Sequence, residues 1–283
     1  MEAPDLGLFG PDSVSWRVHA EPVLWVAGLR ALYLQALHPR AIAGVVQNSD
    51  YRNDSWGRLM RTADYVGTVV FGTTADAQAA GARVRAIHRR MRARDPATGE
   101  WFRIDEPGLL RWVHVTAVES FVTTARRAGL RLSDAEVDAY YAEQVRAAEL
   151  VGLDPDSVPS SADEVGQYYD DLRRYLRVTP PSKEVAMFLA VPPMPHKLGW
   201  TALRPAWLGV AGLGFALLPR WARRKYGMPG VPTTDLSATL AVRALRGTVA
   251  GLPGAVLEGP IYKDAMARAA LAAGRSSEPR PTF

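Results

Sequence analysis

Residues 56–73, WGRLMRTADYVGTVVFGT, contain the pattern that decides the fold. Leu59, Ala63, Val66 and Val70 follow one another at spacings of four, three and four residues, which is the period of one helix face. An apolar face needs a second surface to cover it, so this helix is expected to pack against other elements of the chain. The segment therefore predicts an amphipathic helix inside a larger helical assembly.

The same helical period recurs on both sides of this segment. The apolar stripes there are Leu24, Ala27, Ala31, Leu34 and His38; Val84, His88 and Met91; and Leu110, His114, Ala117 and Phe121. Ser133 with Glu136, and Ser161 with Glu164, have the spacing of a capping box and predict two further helix starts. No run of strict alternation indicates a strand. The chain is therefore expected to be all-α.

One segment departs from the helical pattern. Residues 178–200 contain five of the 21 prolines, and because proline breaks a helix interior we expect an interruption and a crossover loop there. On either side of it the helical pattern continues. We expect a single large helical domain over residues 1–273, followed by a disordered tail over residues 274–283.

The amino-acid composition excludes several classes of functional site. The chain has 283 residues, of which 48% are apolar and 22% charged, as in an ordinary globular protein. It has no cysteine, which excludes disulfides, iron–sulfur clusters, zinc–thiolate sites and thiolate-ligated haem. A G-x-S-x-G elbow and a P-loop are also missing from the sequence, so serine hydrolase and nucleotide chemistry lack support.

The net charge of +5 raises the question of an anionic partner. The densest basic run, from Arg83 to Arg94, is interpreted as the solvated face of one helix, so no nucleic acid partner is expected. Residues 205–219 form the longest apolar stretch, shorter than the ~20 residues that a membrane-spanning helix needs. We interpret them as a buried or interfacial helix, which leaves a peripheral membrane contact through residues 205–225 open. The first twenty residues do not resemble a signal peptide, and a cytoplasmic location is expected.

Three of the five histidines lie on predicted apolar stripes: His38, His88 and His114. A histidine on an apolar face is most often a core residue with a satisfied hydrogen bond. A metal ion or a haem iron would be another partner for such an imidazole. A non-haem iron site of His88, His114 and Glu119 can be proposed, but no short metal motif such as H-E-x-x-H supports it.

An arginine-rich face follows the first stripe. Arg58, Thr62 and Tyr65 share one helical face, and Arg61 lies between them. Guanidinium donors beside an aliphatic wall would suit an anion carried by an apolar cofactor. The alternative interpretation is that these arginines are ordinary surface residues.

Taken together, three segments resemble a known family. The run LRALYLQALHPRAIAGVVQNSDYRNDSWGRLMRTADYVGTVVFGT, then VRAIHRRM, then LLRWVHVTAVES is similar to the rubber oxygenase (latex clearing protein) and mycophenolic-acid-pathway oxygenase family, which includes short bacterial members. The resemblance spans roughly residues 15–230. It implies an all-helical fold that encloses a pocket for non-covalently bound haem b, with dioxygen as co-substrate.

The resemblance also implies roles for individual residues. Rubber oxygenases have an Arg-x-x-Lys-Thr motif upstream of the histidine that ligates the haem iron. The corresponding positions here are Arg58, Arg61 and Thr62, and the downstream histidine is His88. His88 is thus implied as the metal ligand and proximal residue, with Arg58, Arg61 and Thr62 beside the cofactor.

Two positions depart from the family pattern. Arg61 stands where the family has lysine, and because guanidinium has no lone pair it cannot ligate iron, although it can donate to a propionate or to oxygen. Asn48 stands where short members often have histidine. Rubber oxygenases cleave the double bonds of polyisoprene, and both departures argue against that particular reaction for this chain.

We therefore expect a haem b-dependent oxygenase or oxidase that acts on an apolar small molecule. Arg61, His114 and His38 are its catalytic candidates. A non-catalytic helical module that binds haem or an apolar ligand is the alternative, and a structural helical protein without cofactor is a third hypothesis.

Overall fold

The structure is a computed structural model that describes residues 4–193, 203–251 and 259–276. This part of the chain contains thirteen α-helices, a short 3-10 helix at Pro155–Ser157 and one β-hairpin, so the predicted all-α fold is confirmed. The helices are α1 (Val14–His19), α2 (Leu24–Gln35), α3 (Pro39–Asn48), α4 (Ser55–Phe71), α5 (Thr74–Arg90), α6 (Pro107–Ala128), α7 (Asp134–Leu150), α8 (Ala162–Leu172), α9 (Pro180–Ala190), α10 (Leu203–Ala216), α11 (Arg220–Lys225), α12 (Pro232–Ala250) and α13 (Pro260–Ser276).

Helices α2 and α6 form the centre of the molecule. They pack closely along their lengths, and α1, α7, α10 and α12 pack around them. Trp112 of α6 is fully buried, and its indole N–H donates to the carbonyl oxygen of Gln35 at 3.2 Å. The centre is therefore both apolar and fixed by hydrogen bonds across the helix pair.

A buried ion pair connects α2 to α6 inside this centre. Arg30 is 1% exposed, and its guanidinium donates to both carboxylate oxygens of Glu119 at 2.6 and 2.9 Å. It also donates to the hydroxyl of Ser120 at 2.6 Å and to the carbonyl of Leu217 at 3.0 Å. The hydroxyl of Tyr169 donates to Glu119 at 3.2 Å. Such complete pairing is what allows a charge to be buried.

Both predicted capping sites begin a helix. Ser133 accepts from the backbone N–H of Glu136, whose carboxylate accepts from the backbone of Ser133, so the capping box is confirmed. Ser161 accepts from the backbone N–H of Glu164 in the same way. The carboxylate of Glu164 instead accepts from the backbone of Ser160 at 2.7 Å. The second hydrogen bond of this capping box thus comes from the residue before the N-cap, Ser160, and not from Ser161.

The expectation that no strand occurs is wrong at one place. Strands β1 (Arg92–Arg94) and β2 (Trp101–Arg103) form an antiparallel hairpin directly after α5. Each strand has three residues, which is too short for an alternating pattern to be recognised in a sequence. The basic run from Arg83 to Arg94 accordingly leaves the helix after Arg90 and continues into β1.

The interruption predicted for residues 178–200 is wrong for its first half. Residues Pro180–Ala190 form α9, with Thr179 as N-cap, accepting from the backbone N–H of Ser182 at 3.3 Å. Two prolines fit there because the first turn of a helix needs no intrahelical N–H donors. Residues 194–200 lie outside the described part of the chain.

Two helix ends also differ from the sequence pattern. His38 does not complete the stripe of α2, which ends at Gln35, and instead begins α3 as its N-cap. At the other end of the chain, α13 extends through residues 274–276, where a tail was expected. Residues 277–283 lie outside the described part. No described helix is both long and apolar enough to cross a bilayer.

Candidate functional site

Helices α4 and α5 form an antiparallel hairpin that positions the predicted site. Only Gly72 and Thr73 join them. A Cβ at residue 72 would lie 2.5 Å from the carbonyl oxygen of Thr68, so this close turn requires glycine. Arg58 lies in the first turn of α4 and His88 in the last turn of α5, so both lie at the helix ends that are remote from this short connection. We call these two helix ends together the open end.

The open end is incompletely covered by protein side chains. The buried residues of the two helices all lie nearer the connection: Val69, Val70, Phe71, Ala77 and Gly81. Toward the open end the stripe residues Leu59, Ala63 and Val84 are only half-buried, and Ile87 is 46% exposed. Within the described residues, α4 and α5 pack on each other, α4 also packs on α1 and α13, and α5 also packs on α7, whereas α6 packs mainly on α2. Apolar positions left half-covered in this way can bind an apolar group.

His88 lies in the last turn of α5, half-buried. Its Nδ1 atom is shielded from solvent and has no hydrogen-bond partner among the described residues. Burial lowers the pKa of His88, and the nearby carboxylate of Asp105 opposes that shift. The β-hairpin brings Asp105 close to His88, because the backbone N–H of Ile104, just after β2, donates to the carbonyl oxygen of Met91, just before β1, at 3.4 Å. His88 is therefore held neutral, the form that can ligate a metal.

Arg58 differs from the other two residues of its motif. Its half-buried guanidinium has no hydrogen bond or ion pair with any described side chain. Burial lowers the pKa of Arg58, and the charge of neighbouring Arg61 lowers it further. Arg61 is exposed and pairs with Asp54 at 2.9 Å. The hydroxyl of Thr62 donates to the carbonyl of Arg58 at 3.0 Å. Of the three, only Arg58 lacks a partner for its polar side-chain atoms.

His114 lies two turns inside α6, half-buried. Burial lowers its pKa to about 4, so the imidazole is neutral near pH 7. Three residues earlier on the same helix, Arg111 is half-buried, and its Nε atom has no partner among the described residues. Arg111 was not among the residues predicted from the sequence. Its spacing of three residues from His114 could have revealed it, because residues three apart on a helix are neighbours.

His38 is separated from His114 by the body of α6. Its Nδ1 accepts from the backbone N–H of Ala41 at 3.3 Å, and its ring lies 6.0 Å from that of Trp112. Trp112 and His114 are two residues apart and thus point to nearly opposite faces of α6. The structure therefore does not bring these two catalytic candidates together.

His19 is a buried histidine that the stripes did not reveal. It is 6% exposed, its Nε2 lies 3.1 Å from the hydroxyl of Tyr140, and its ring lies 4.8 Å from that of Phe121. Burial lowers its pKa to about 3. Its partner lies 121 residues away in sequence, so no local pattern indicates the contact.

A bare metal centre finds little support in this arrangement. No group of three or more metal-binding side chains occurs within residues 4–193, 203–251 and 259–276. Glu119, the carboxylate of the non-haem alternative, is held by both of its oxygens in the Arg30 pair. At the open end, the imidazole Nδ1 of His88 and the guanidinium of Arg58 have no partner among the described residues. An imidazole and a guanidinium suit an anionic, metal-bearing apolar cofactor better than a bare ion.

The described residues define an all-helical protein with His88 and Arg58 at the open end of a helical hairpin. Residues 16–250 match the family described as ER-bound oxygenase mpaB/B'/rubber oxygenase, catalytic domain. Because the match covers most of the chain, the protein belongs to this oxygenase family, and the resemblance inferred from the sequence is confirmed. No curated protein and no solved structure matches the chain.

Proposed function

We propose that the protein is a haem b-dependent oxygenase in which His88 ligates the iron. The observation that carries this proposal is that the ends of α4 and α5 remote from their connection carry a neutral imidazole, His88, and a half-buried arginine, Arg58, that has no partner among the described residues. Membership of an oxygenase family supports the reaction class. When bound, the haem would supply an iron that reacts with dioxygen.

The residues of the open end fit such a cofactor. The half-covered side chains of Leu59, Ala63 and Val84 would contact the apolar ring system. The guanidinium of Arg58 would bind a propionate, because a partly buried carboxylate needs a charged partner. That carboxylate would also supply the counter-charge that Arg58 lacks. The Nδ1 of His88 has no partner among the described residues, and the negative charge of Asp105, which Arg103 holds by both oxygens, would favour a polarised N–H on this ring.

The remaining candidates take supporting roles. His114 is neutral near pH 7, so it can exchange a hydrogen bond with a bound reactant without bringing a charge into an apolar space. Arg61 can donate hydrogen bonds but cannot ligate iron. His38 fixes the start of α3 behind α6. The half-covered apolar wall favours an apolar small molecule as substrate.

Haem content and oxygen uptake test the proposal together. Protein produced with sufficient haem supply and purified should contain about one haem b per chain by pyridine haemochromogen assay, with a Soret band. Oxygen uptake should then require an apolar substrate, screened among isoprenoids of increasing length. Colourless protein that cannot be reconstituted with haem would refute the proposal. Stoichiometric haem without oxygen uptake on any substrate would favour the non-catalytic haem-binding alternative.

A further inference from the structure

The outer face of helices α10 and α12 has an unusual composition for a surface. The exposed positions of α10 are Arg204, Pro205, Ala206, Leu208, Gly209 and Gly212. On α12, Leu236 is 63% exposed and Leu240 57% exposed. They are four residues apart, and Ala244 follows four residues later, so the three form one stripe. Arg243 is the one charged residue among the exposed positions of α12, which is described in full.

These two helices form one layer over the core. α10 packs on α2, α12 packs on α6, and the two contact each other. Val210 and Leu213 of α10 meet Ala238 and Val242 of α12 in a small apolar cluster. The sides of α10 and α12 that face away from the core therefore point toward solvent together. We call this combined surface the α10–α12 face.

The segment that forms this face carries an excess of basic charge. Residues 203–251 contain seven basic residues and one acidic residue, a net charge of +6, although Arg246 pairs with Glu21 outside the segment. The single acidic residue, Asp235, already pairs with Arg220 and Arg223, both at 2.5 Å. No described acidic side chain pairs with the remaining basic residues Arg224 and Lys225 of α11. Cations without acidic partners thus adjoin the first turn of α12, directly before Leu236.

We infer that the α10–α12 face binds the surface of an anionic lipid bilayer. Exposed leucines can enter the boundary between headgroups and acyl chains, while arginine and lysine pair with lipid phosphates. A second copy of the chain fits less well, because a symmetric interface would bring basic rims together without acidic partners. The contact is peripheral, and no helix in the described part of the chain is both long and apolar enough to span a bilayer. It does not depend on haem binding or on the proposed function.

Co-sedimentation with vesicles tests the inference on the full chain. Wild-type protein should bind vesicles of phosphatidylcholine with about one-third phosphatidylglycerol, and bind pure phosphatidylcholine much more weakly. Leu236→Glu/Leu240→Glu should weaken binding at least about tenfold, because two charges would have to enter the apolar boundary. Arg224→Glu/Lys225→Glu should weaken binding and remove most of its salt dependence between about 0.1 and 0.5 M.

A matched pair of exposed apolar residues on another helix provides the control. Met266 and Leu271 of α13 are 45% and 59% exposed, and Met266→Glu/Leu271→Glu should leave vesicle binding within about twofold of wild type. Circular dichroism must show native helicity in every variant. The inference would be overturned if the wild type bound neither kind of vesicle. It would also be overturned if Leu236→Glu/Leu240→Glu and Met266→Glu/Leu271→Glu lost vesicle binding equally. A wild-type dimer that Leu236→Glu/Leu240→Glu converts to a monomer would overturn it too, because the face would then bind a second copy.

Discussion

Two arginines of this protein have opposite environments. Arg30, in the α2–α6 core, is 1% exposed and has partners for its guanidinium in Glu119, Ser120 and the backbone. Arg58, at the open end of the α4–α5 hairpin, is half-buried and has no side-chain partner among the described residues. A charge that is removed from water needs compensation. Where the protein supplies it, the residue stabilises the fold; where it does not, the group can be compensated by water or by a bound anion.

The largest effect is expected from breaking the Arg30 pair. Glu119→Ala should lower the free energy of unfolding by about 3–5 kcal/mol, because it leaves a buried guanidinium without its counter-charge. Denaturant unfolding followed by circular dichroism measures this loss. The double variant Arg30→Met/Glu119→Leu should recover most of it, because both charges are then removed. A loss below about 1 kcal/mol in Glu119→Ala would mean that the pair behaves as a solvated one.

Acid should destabilise the core through its buried histidine. The pKa of His19 is lowered to about 3 in the folded protein, against about 6.5 in an unfolded chain. The unfolded state therefore binds more protons below about pH 6.5, and stability falls as pH decreases through that range. The slope contributed by this one residue is at most about 1.4 kcal/mol per pH unit.

Thermal unfolding at stepped pH values checks the histidine assignment. His19→Gln should reduce the dependence below pH 6.5, because glutamine does not titrate there, and the part that remains is expected from His114, whose pKa is lowered to about 4. Tyr140→Phe removes the hydrogen-bond partner but leaves His19 buried, so it should retain the dependence. An unchanged slope in His19→Gln would place the acid-sensitive groups elsewhere.

At the open end, Arg58 should affect the cofactor rather than the fold. Arg58→Ala should weaken haem retention by about ten- to a hundredfold, since a charge-assisted bond contributes about 1.5–3 kcal/mol. The free energy of unfolding without haem should change by no more than about 0.5 kcal/mol. Haem transfer to apomyoglobin measures the retention. Normal retention together with a large loss of stability would make Arg58 a structural residue like Arg30.

The difference between these regions also shows what a sequence can reveal. The helices around Leu59 and Ser133 were predictable, because helix periodicity and capping depend on residues three or four apart. The pairing of Arg30 with Glu119 was not, because 89 residues separate them. Nor was the capping role of His38, since the same spacing fits both the end of one helix and the start of the next.

The candidate site was predictable only as residue types. Arg58 and His88 stood out in the sequence, but their placement at one end of a hairpin depends on the short Gly72–Thr73 connection. That Arg61 would pair with Asp54 while Arg58 stays unpaired depends on side-chain packing. Local spacing contains no information on which of two arginines is covered.

The smallest effect is expected from Arg61. Its pair with Asp54 is exposed at the surface, so Arg61→Ala should change the free energy of unfolding by less than about 1 kcal/mol. Arg61→Lys offers a sharper test, because a neutral lysine has a lone pair that can ligate iron. A change in the ferric absorption spectrum in Arg61→Lys, with none in Arg61→Ala, would place residue 61 within reach of the iron. Identical spectra in both variants would place it at the surface only.

The central claim is that His88 holds the haem, and the haem content of His88→Ala tests it most directly. The account predicts a helical, folded protein with little or no haem by pyridine haemochromogen assay, whereas His114→Gln, prepared in parallel, retains most of it. A His88→Ala protein with a normal Soret band and about one haem per chain, beside a colourless His114→Gln, would contradict the claim and make His114 the ligand.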